Sequence, residues 1–292
     1  MNRSYKEHFI TAGKIAKEVR AYGKSLLVPG ASYNETRAKI VEMIHTMGAI
    51  PAFPPQIALD TVAAHYLVDP GSDHLFSTEL IKLDIGICYK GAIGDTAVTV
   101  DLSGKHQLLI DAVEKALLRA EQIIEVGLEV RAIGRVIHET IASFGLNPIE
   151  NLAGHGLGLY KIHTPPTIPN IDNGSKALIR PGMTFAIEPF ATDGQGLIYE
   201  AGNPTIFAQN KPLGKSPLHK KIASFNGLPF ALHDLQAVSG DVAAVQKELL
   251  RLTKTAHVSA YGPLHEVSKG MVAQAENSVL VDDAGAVFIT TR

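Results

Sequence analysis

Tryptophan is absent and cysteine occurs once, at Cys88, in a chain of 292 residues. A lone thiol excludes an internal disulfide and any metal cage built from thiolates. A reducing, cytoplasmic setting is the matching expectation. No run approaches about 18 uninterrupted apolar residues, so no membrane-spanning helix is expected. The opening MNRSYKEHFITAGK lacks the apolar core of a secretory signal. An excess of one charge is missing too: the formal net charge is −2, which provides no basic footprint for specific nucleic-acid binding. Apolar residues, at 46%, are sufficient for a large core, as one big domain or two fused lobes.

Against this background the stretch LDIGICYKGAIGDTAVTVDL, residues 83–102, lodges Asp84 and Asp95 among aliphatic side chains. An unpaired carboxylate there costs several kcal/mol. Lys90-Gly91 reads as a two-residue hairpin turn, with Gly91 taking the positive φ. That register pairs Tyr89 with Ala92, Gly86 with Asp95 and Asp84 with Ala97, so residues 84, 86, 95 and 97 share a face. The aspartates become diagonal neighbours, about 7–8 Å apart at Cα. They could reach one cation, or two cations ~3.5–4 Å apart. The competing reading leaves Asp95 to the turn and Asp84 to an arginine or lysine.

Two more acids interrupt apolar runs: Glu188 in GMTFAIEPFA (182–191) and Glu276 in MVAQAENSVLV (271–281), with 284–290 as the latter's hairpin partner. Four acids in separate expected strands ask for a common counter-charge. His155, in NLAGHGLGLYKIH, offers a nitrogen between glycines that leave room for a metal or a substrate backbone. A satisfied structural histidine is its other reading. One His, two Asp and two Glu suit Mn, Fe, Co or Zn.

Helical spacing runs through residues 5–27. Ser32 and Glu35 stand in capping-box relation before a helix expected to bury Ala38, Val41, Ile44 and Met47 and to stop at Gly48. Further helices are expected over 107–125 and 130–144. A shift of 97 positions lays Gly30 on Gly127, Ile40 on Ile137, Glu42 on Glu139, Ile44 on Ile141, Gly48 on Gly145 and Pro51 on Pro148. A duplicated helix–helix–strand unit follows, hence two pseudo-symmetric lobes with a cleft between them. Residues 206–262 differ in character. Lys211, Lys215, Lys220 and Lys221, read as a solvated face, precede an amphipathic helix opened by Ser239 and Asp241 and carrying Val242, Val245, Leu249 and Leu252. This reads as a small, mainly helical insertion.

The motifs AFPPQIALDTVAAHY, LDIGICYKGAIGDTAVTVDL, NLAGHGLGLYKIHTPPTIPN, GMTFAIEPFATDGQG and GMVAQAENSVLV together resemble the type 2 methionine aminopeptidases in their short archaeal form, in order and spacing from about residue 50 onward. The resemblance implies an α+β pita-bread fold, two pseudo-symmetric lobes around a curved antiparallel sheet. It implies a catalytic body over 1–205 and 263–292, with a winged-helix-like insertion at 206–262. It implies two divalent ions (Co, Mn, Fe or Zn) held by Asp84, Asp95, His155, Glu188 and Glu276, with Asp95 and Glu276 bridging. His65 and His163 match the family's non-ligand catalytic histidines, and Glu188 its proton carrier. Phe53, Ile162 and Tyr261 fall where the family lines its methionine pocket. The implied activity is removal of N-terminal methionine from nascent chains with a small second residue, by a cytoplasmic monomer with the ribosome as a partner. The insertion either touches the ribosome or braces the cleft.

Three departures bear on the pocket rim. His163 is followed by Thr164-Pro165-Pro166 in place of Ala-Gly. Asn277 replaces His after the last ligand. Tyr199-Glu200-Ala201-Gly202 replaces Lys-Glu-Gly. Two other classes stay open: an Xaa-Pro peptidase or creatinase relative, expected to carry an extra N-terminal domain, and a non-catalytic binding protein, expected to have lost ligands.

Overall fold

The computed structural model describes residues 3–292 apart from 70, 236, 237, 239 and 240. The long first helix, Arg3–Leu26, buries Phe9, Ala12, Ile15, Ala16 and Val19. In the second, Tyr33–Thr46, the Ser32 hydroxyl accepts from the Glu35 N–H, which satisfies one of the free donors of the first turn. Its buried face runs through Tyr33, Thr36, Ile40 and Ile44, not through Ala38 and Val41 as expected. Both series have helical spacing and share Ile44. The one carrying the larger Tyr33 and Ile40 side chains removes more apolar surface from water, and it faces the sheet.

The repeat is physical. Ser32 and Glu129 hold the same place before their helices, with φ/ψ of −75/134° and −72/131°, and bridge to Leu75 and Leu178 respectively. Ile40 and Ile137, and Ile44 and Ile141, are all fully buried. Gly48 and Gly145 end the helices at φ 74° and 73°, a left-handed conformation that glycine adopts without a Cβ penalty. The short strands Ile50–Pro51 and Asn147–Pro148 follow. Each lobe has its own core. One surrounds Val19, Ile40, Ile44 and Leu83, and the other surrounds Val113, Ile137, Phe185 and Val279.

Among the described residues every strand pairing is antiparallel. In the first lobe Leu80–Tyr89 pairs with Ile50–Pro51, Gln56–Leu59 and Ala92–Asp101. In the second, a five-stranded sheet runs Val287–Ile289, Asn277–Val281, Thr184–Ile187, Ala153–Gly158, Lys161–Pro169. A three-stranded sheet runs Val272–Gln274, Phe190–Thr192, Asn147–Pro148. No helix among the described residues is long and apolar enough to cross a membrane.

Residues 206–262 build a separate small core around Phe207, Ile222, Phe230, Leu249 and Val258. The expected helix opens at Asp241 and spans Val242–Lys254, burying Val245, Leu249 and Leu252; Ser239 lies outside the described residues. The segment is more than helical, because Ile206–Gln209 pairs with Phe230–Ala231 and Val258–Tyr261 in a three-stranded sheet. Strands this short leave no readable alternation.

Candidate metal centre

The hairpin delivers the first two acids. Its register is the expected one: Tyr89 faces Ala92, Gly86 faces Asp95 and Asp84 faces Ala97. Lys90 shares the positive φ with Gly91, at 50° and 88°, the pair of values a type I′ turn requires. Opposite Asp95, a Cβ on Gly86 would lie 2.2 Å from the Phe53 ring. Glycine there lets an apolar wall approach beside a carboxylate.

Glu188 and Glu276 are not inside strands, which corrects the expectation of four acid-bearing strands. The run 182–191 divides into Thr184–Ile187 and Phe190–Thr192, and 271–281 into Val272–Gln274 and Asn277–Val281. Each glutamate occupies the joint where the chain passes between the five-stranded and the three-stranded sheet. Pro189, without an N–H, stands just past the first joint. At the second, Ala97 and Glu276 exchange backbone hydrogen bonds of 3.3 and 3.2 Å. Glu276 is thereby pinned across from the residue two beyond Asp95.

His155 lies within Ala153–Gly158, at a register shift against Lys161–Pro169. Its flanking glycines admit neighbouring strands, and Gly154 also lines the cavity. A Cβ at 154 would sit 2.3 Å from the Ala186 carbonyl oxygen, and one at 156 would sit 2.3 Å from that of Pro165. His155 Nδ1 faces the Gly156 carbonyl at 3.4 Å. With Nδ1 donating, Nε2 turns a lone pair toward the acids, 3.7 Å from Glu188 Oε1 and 3.9 Å from Asp95 Oδ2. Potential ligand atoms of Asp95, His155 and Glu276 all fall within 4.8 Å of one another.

These groups share one cavity of about 500 Å³ with Asp84, His65, His163, Phe53, Ile162 and Tyr261. Every site residue expected from the sequence therefore lines the same space. The His155 and His163 rings meet edge to face at 4.5 Å, and His65 meets Tyr261 at 5.5 Å. Phe53 and Ile162 belong to an apolar cluster with Leu157 and Ile93, whereas Tyr261, Ile206 and Pro229 close the cavity from the 206–262 side.

Burial first, and mutual repulsion second, push Asp95, Glu188 and Glu276 well above the usual carboxylate range; burial moves Asp84 to about 7. Burial lowers the imidazole of His155 to about 3 and that of His65 to about 4, His163 adding to both. Neutral imidazole is the ligating form. Asp84 Oδ1 and Asp95 Oδ1 are buried without a hydrogen-bond partner. Among the described residues no lysine or arginine forms an ion pair with any of the four carboxylates; Asp95 and Glu188 meet only His155. Orphaned oxygens, crowded acids and one neutral imidazole together fit divalent cations, which would satisfy the oxygens and cancel the repulsion.

A pH dependence follows for the metal-free chain. A carboxylate raised in the fold binds protons that the unfolded chain has released, so its contribution to stability declines as pH rises from the unfolded toward the folded value. Between about pH 4 and 6.5 the depressed histidines oppose this, since the unfolded chain then binds their protons. Above about pH 6.5 they are neutral in both states, and the carboxylates outnumber Lys82, which burial lowers to about 7 and which acts in the opposite sense. The thermal midpoint of metal-free protein should fall by several degrees between pH 6.5 and 8, and added Mn²⁺ should raise it more at pH 8. A midpoint that climbs with pH would contradict the charge balance described.

Sequence reasoning passed over Gln56 and the backbone of His65. His65 has φ 59°, uncommon for a residue other than glycine, and its N–H donates to Gln56 Oε1 at 2.6 Å. Only the polarity of Gln56 in the otherwise apolar QIAL could have drawn notice. Thr164, Pro165 and Thr167 also reach the cavity, beside His163 on an edge strand.

The chain belongs to metallopeptidase family M24, whose sequence model matches residues 7–283. It is 36% identical over 294 residues to the methionine aminopeptidase of Methanothermobacter thermautotrophicus, covering 97% of this chain and 98% of that protein. Among solved structures, the methionine aminopeptidase from Thermotoga maritima superposes with a TM-score of 0.74 at 20% identity, covering 100% of this chain and 98% of that one. A thermophilic Arx1 superposes at 0.83 with 14% identity over 99% and 91%. The fold is accordingly the α+β pita-bread fold expected from the sequence.

Proposed function

We propose that the protein hydrolyses the first peptide bond of chains beginning with methionine, as a metalloaminopeptidase with two divalent ions. What carries the reading is the convergence of four carboxylates, none ion-paired to a lysine or arginine among the described residues, and one neutral imidazole on a single cavity that also holds two further histidines. Asp84, Asp95, His155, Glu188 and Glu276 are the residues that would hold the ions. When bound, such ions lower the pKa of a water from 15.7 to about 7 and polarise a carbonyl.

The chain's own groups do the rest. Glu188 faces His155 across 3.7 Å; it takes the water's proton and delivers it to the leaving amine. His163 donates a hydrogen bond to the carbonyl oxygen as charge develops there. His65, held by Gln56, positions the peptide nitrogen of the second residue. Phe53 and Ile162 on one wall and Tyr261 on the other receive the methionine side chain. Such a pocket separates side chains differing by one methylene by only ~1–3 kcal/mol, so leucine at the first position is cut slowly.

Residues 206–262 are read as an insertion that braces the cleft, because Ile206, Pro229 and Tyr261 form one cavity wall. The setting proposed is the cytoplasm, on nascent chains with a small second residue, as a monomer able to meet the ribosome; the ion is Co, Mn, Fe or Zn. Supplying Met-Ala-Ser and Ala-Pro-Ala to protein loaded separately with each ion tests the substrate class. Release of methionine from the first should exceed cleavage of the second by at least about 10³-fold, the scale set by a mismatched transition state. Preference for Ala-Pro-Ala would make the protein an Xaa-Pro peptidase, and no cleavage of either with any ion would favour a binding protein.

A further inference from the structure

Behind Asp95 and Glu276, two of the proposed ligands, lies a polar cluster that the chemistry above leaves without a role. Side chains alternate along a strand, so Thr96 turns to the opposite face from Asp95, while Asn277 opens the strand that follows Glu276. There the guanidinium of Arg20, from the first helix, meets both. Arg20 Nη1 donates to Thr96 Oγ1, to Asn277 Oδ1 at 3.0 Å and to the Glu276 carbonyl at 3.4 Å; Nη2 donates to the Thr291 carbonyl at 3.0 Å. Thr96 Oγ1 donates in turn to the Glu276 carbonyl at 2.9 Å. Asn277 Nδ2 donates to Glu121 Oε1 at 2.7 Å, which brings in a helix of the second lobe.

We propose that Arg20 is a positioning residue for the metal centre: through Thr96 and Asn277 it fixes the spacing between Asp95 and Glu276, and so the affinity for the ions. The inference rests on the dinuclear reading. One planar fork spans the two segments that carry Asp95 and Glu276, and those segments come from different lobes, so no local element sets their separation. Besides this fork, the segments are tied directly by the Thr96 hydroxyl on the Glu276 carbonyl, by Thr99 with the Gln274 backbone, by the backbone pair of Ala97 with Glu276, and by the Ser278 hydroxyl, which accepts from the Asp95 N–H at 2.7 Å and donates to its carbonyl at 2.9 Å. Guanidinium is suited to the place because it is planar and keeps several donors in fixed directions; an ammonium group is a point charge without that fork.

The test is calorimetric titration of metal-free protein with Mn²⁺ alone, alongside kcat and KM on Met-Ala-Ser. Wild type should bind two ions. Arg20→Met, folded by circular dichroism, should bind them about 10–100-fold more weakly, the usual consequence of removing a group that orients a ligand. At saturating Mn²⁺ its kcat should recover more than half of the loss seen at limiting Mn²⁺, with KM unchanged. Arg20→Lys should remain several-fold weak despite its charge. Should Arg20→Met not fold, Thr96→Val decides, with a weakening of about tenfold expected. Wild-type affinity in a folded Arg20→Met, or in Thr96→Val if that variant must decide, overturns the proposal while leaving the metal centre intact. Failure of wild type to bind Mn²⁺ at all overturns both.

Discussion

Glu276→Gln will lower turnover of a methionyl tripeptide by at least about 10³-fold, well beyond the 10–100-fold typical of a group that only supports a ligand. Glu276 is 2% exposed, is locked to Ala97 through its backbone, and shares a 4.8 Å cluster with Asp95 and His155. The amide preserves shape and volume, so the site keeps its packing and loses one anionic ligand. The variant also has a signature that distinguishes lost chemistry from lost fold. Burial first, and then repulsion from Asp95, Glu188 and Asp84, raises the Glu276 carboxyl, and replacing it removes both penalties in the metal-free state. Metal-free Glu276→Gln should therefore unfold at or above the wild-type midpoint at pH 8 while remaining inactive with Mn²⁺ present. Near-normal turnover in the metal-loaded variant would remove Glu276 from the centre.

Stripping the protein with a chelator is expected to have an effect of the same size. Activity on Met-Ala-Ser should drop by at least about 10³-fold, since without the ions water keeps its pKa of 15.7. Burial first, then the nearby Asp84 and Asp95, raise the Glu188 carboxyl, which disfavours the ionised form that accepts a proton. Refilling with Mn, Fe, Co or Zn should restore activity to different extents, because these donors accept several borderline cations. The thermal midpoint at pH 8 should rise together with activity, as both draw on neutralising the same carboxylates. Full activity after chelation, with metal absent by elemental analysis, would contradict the account.

The parts of this site legible in the sequence are those set locally. The hairpin carrying Asp84 and Asp95 could be read residue by residue, because a two-residue turn fixes the register and period-two alternation fixes the face. The duplication was legible through helix stops and buried isoleucines, where glycine conformation and helical spacing act over a few residues. Glu188 and Glu276 were visible as acids in apolar surroundings, but not as joints between sheets. Both runs read as continuous strands, and the break depends on which partner each half finds. The glycines around His155 pointed to close approach without revealing what approaches. The positive φ of His65 left no trace and Gln56 showed only as a polar residue in an apolar run, since their contact forms only once the chain has folded back. The Arg20 cluster was hidden for the same reason: its partners come from positions 96, 121, 277 and 291.

Anomalous diffraction from crystals of Mn²⁺-loaded protein tests the central claim most directly. Two peaks about 3.5–4 Å apart, ringed by Asp84, Asp95, His155, Glu188 and Glu276, are the expected result. Peaks elsewhere, or a Mn²⁺-saturated crystal with none among these side chains, would leave the carboxylates without their counter-charge and the proposed hydrolysis without its centre.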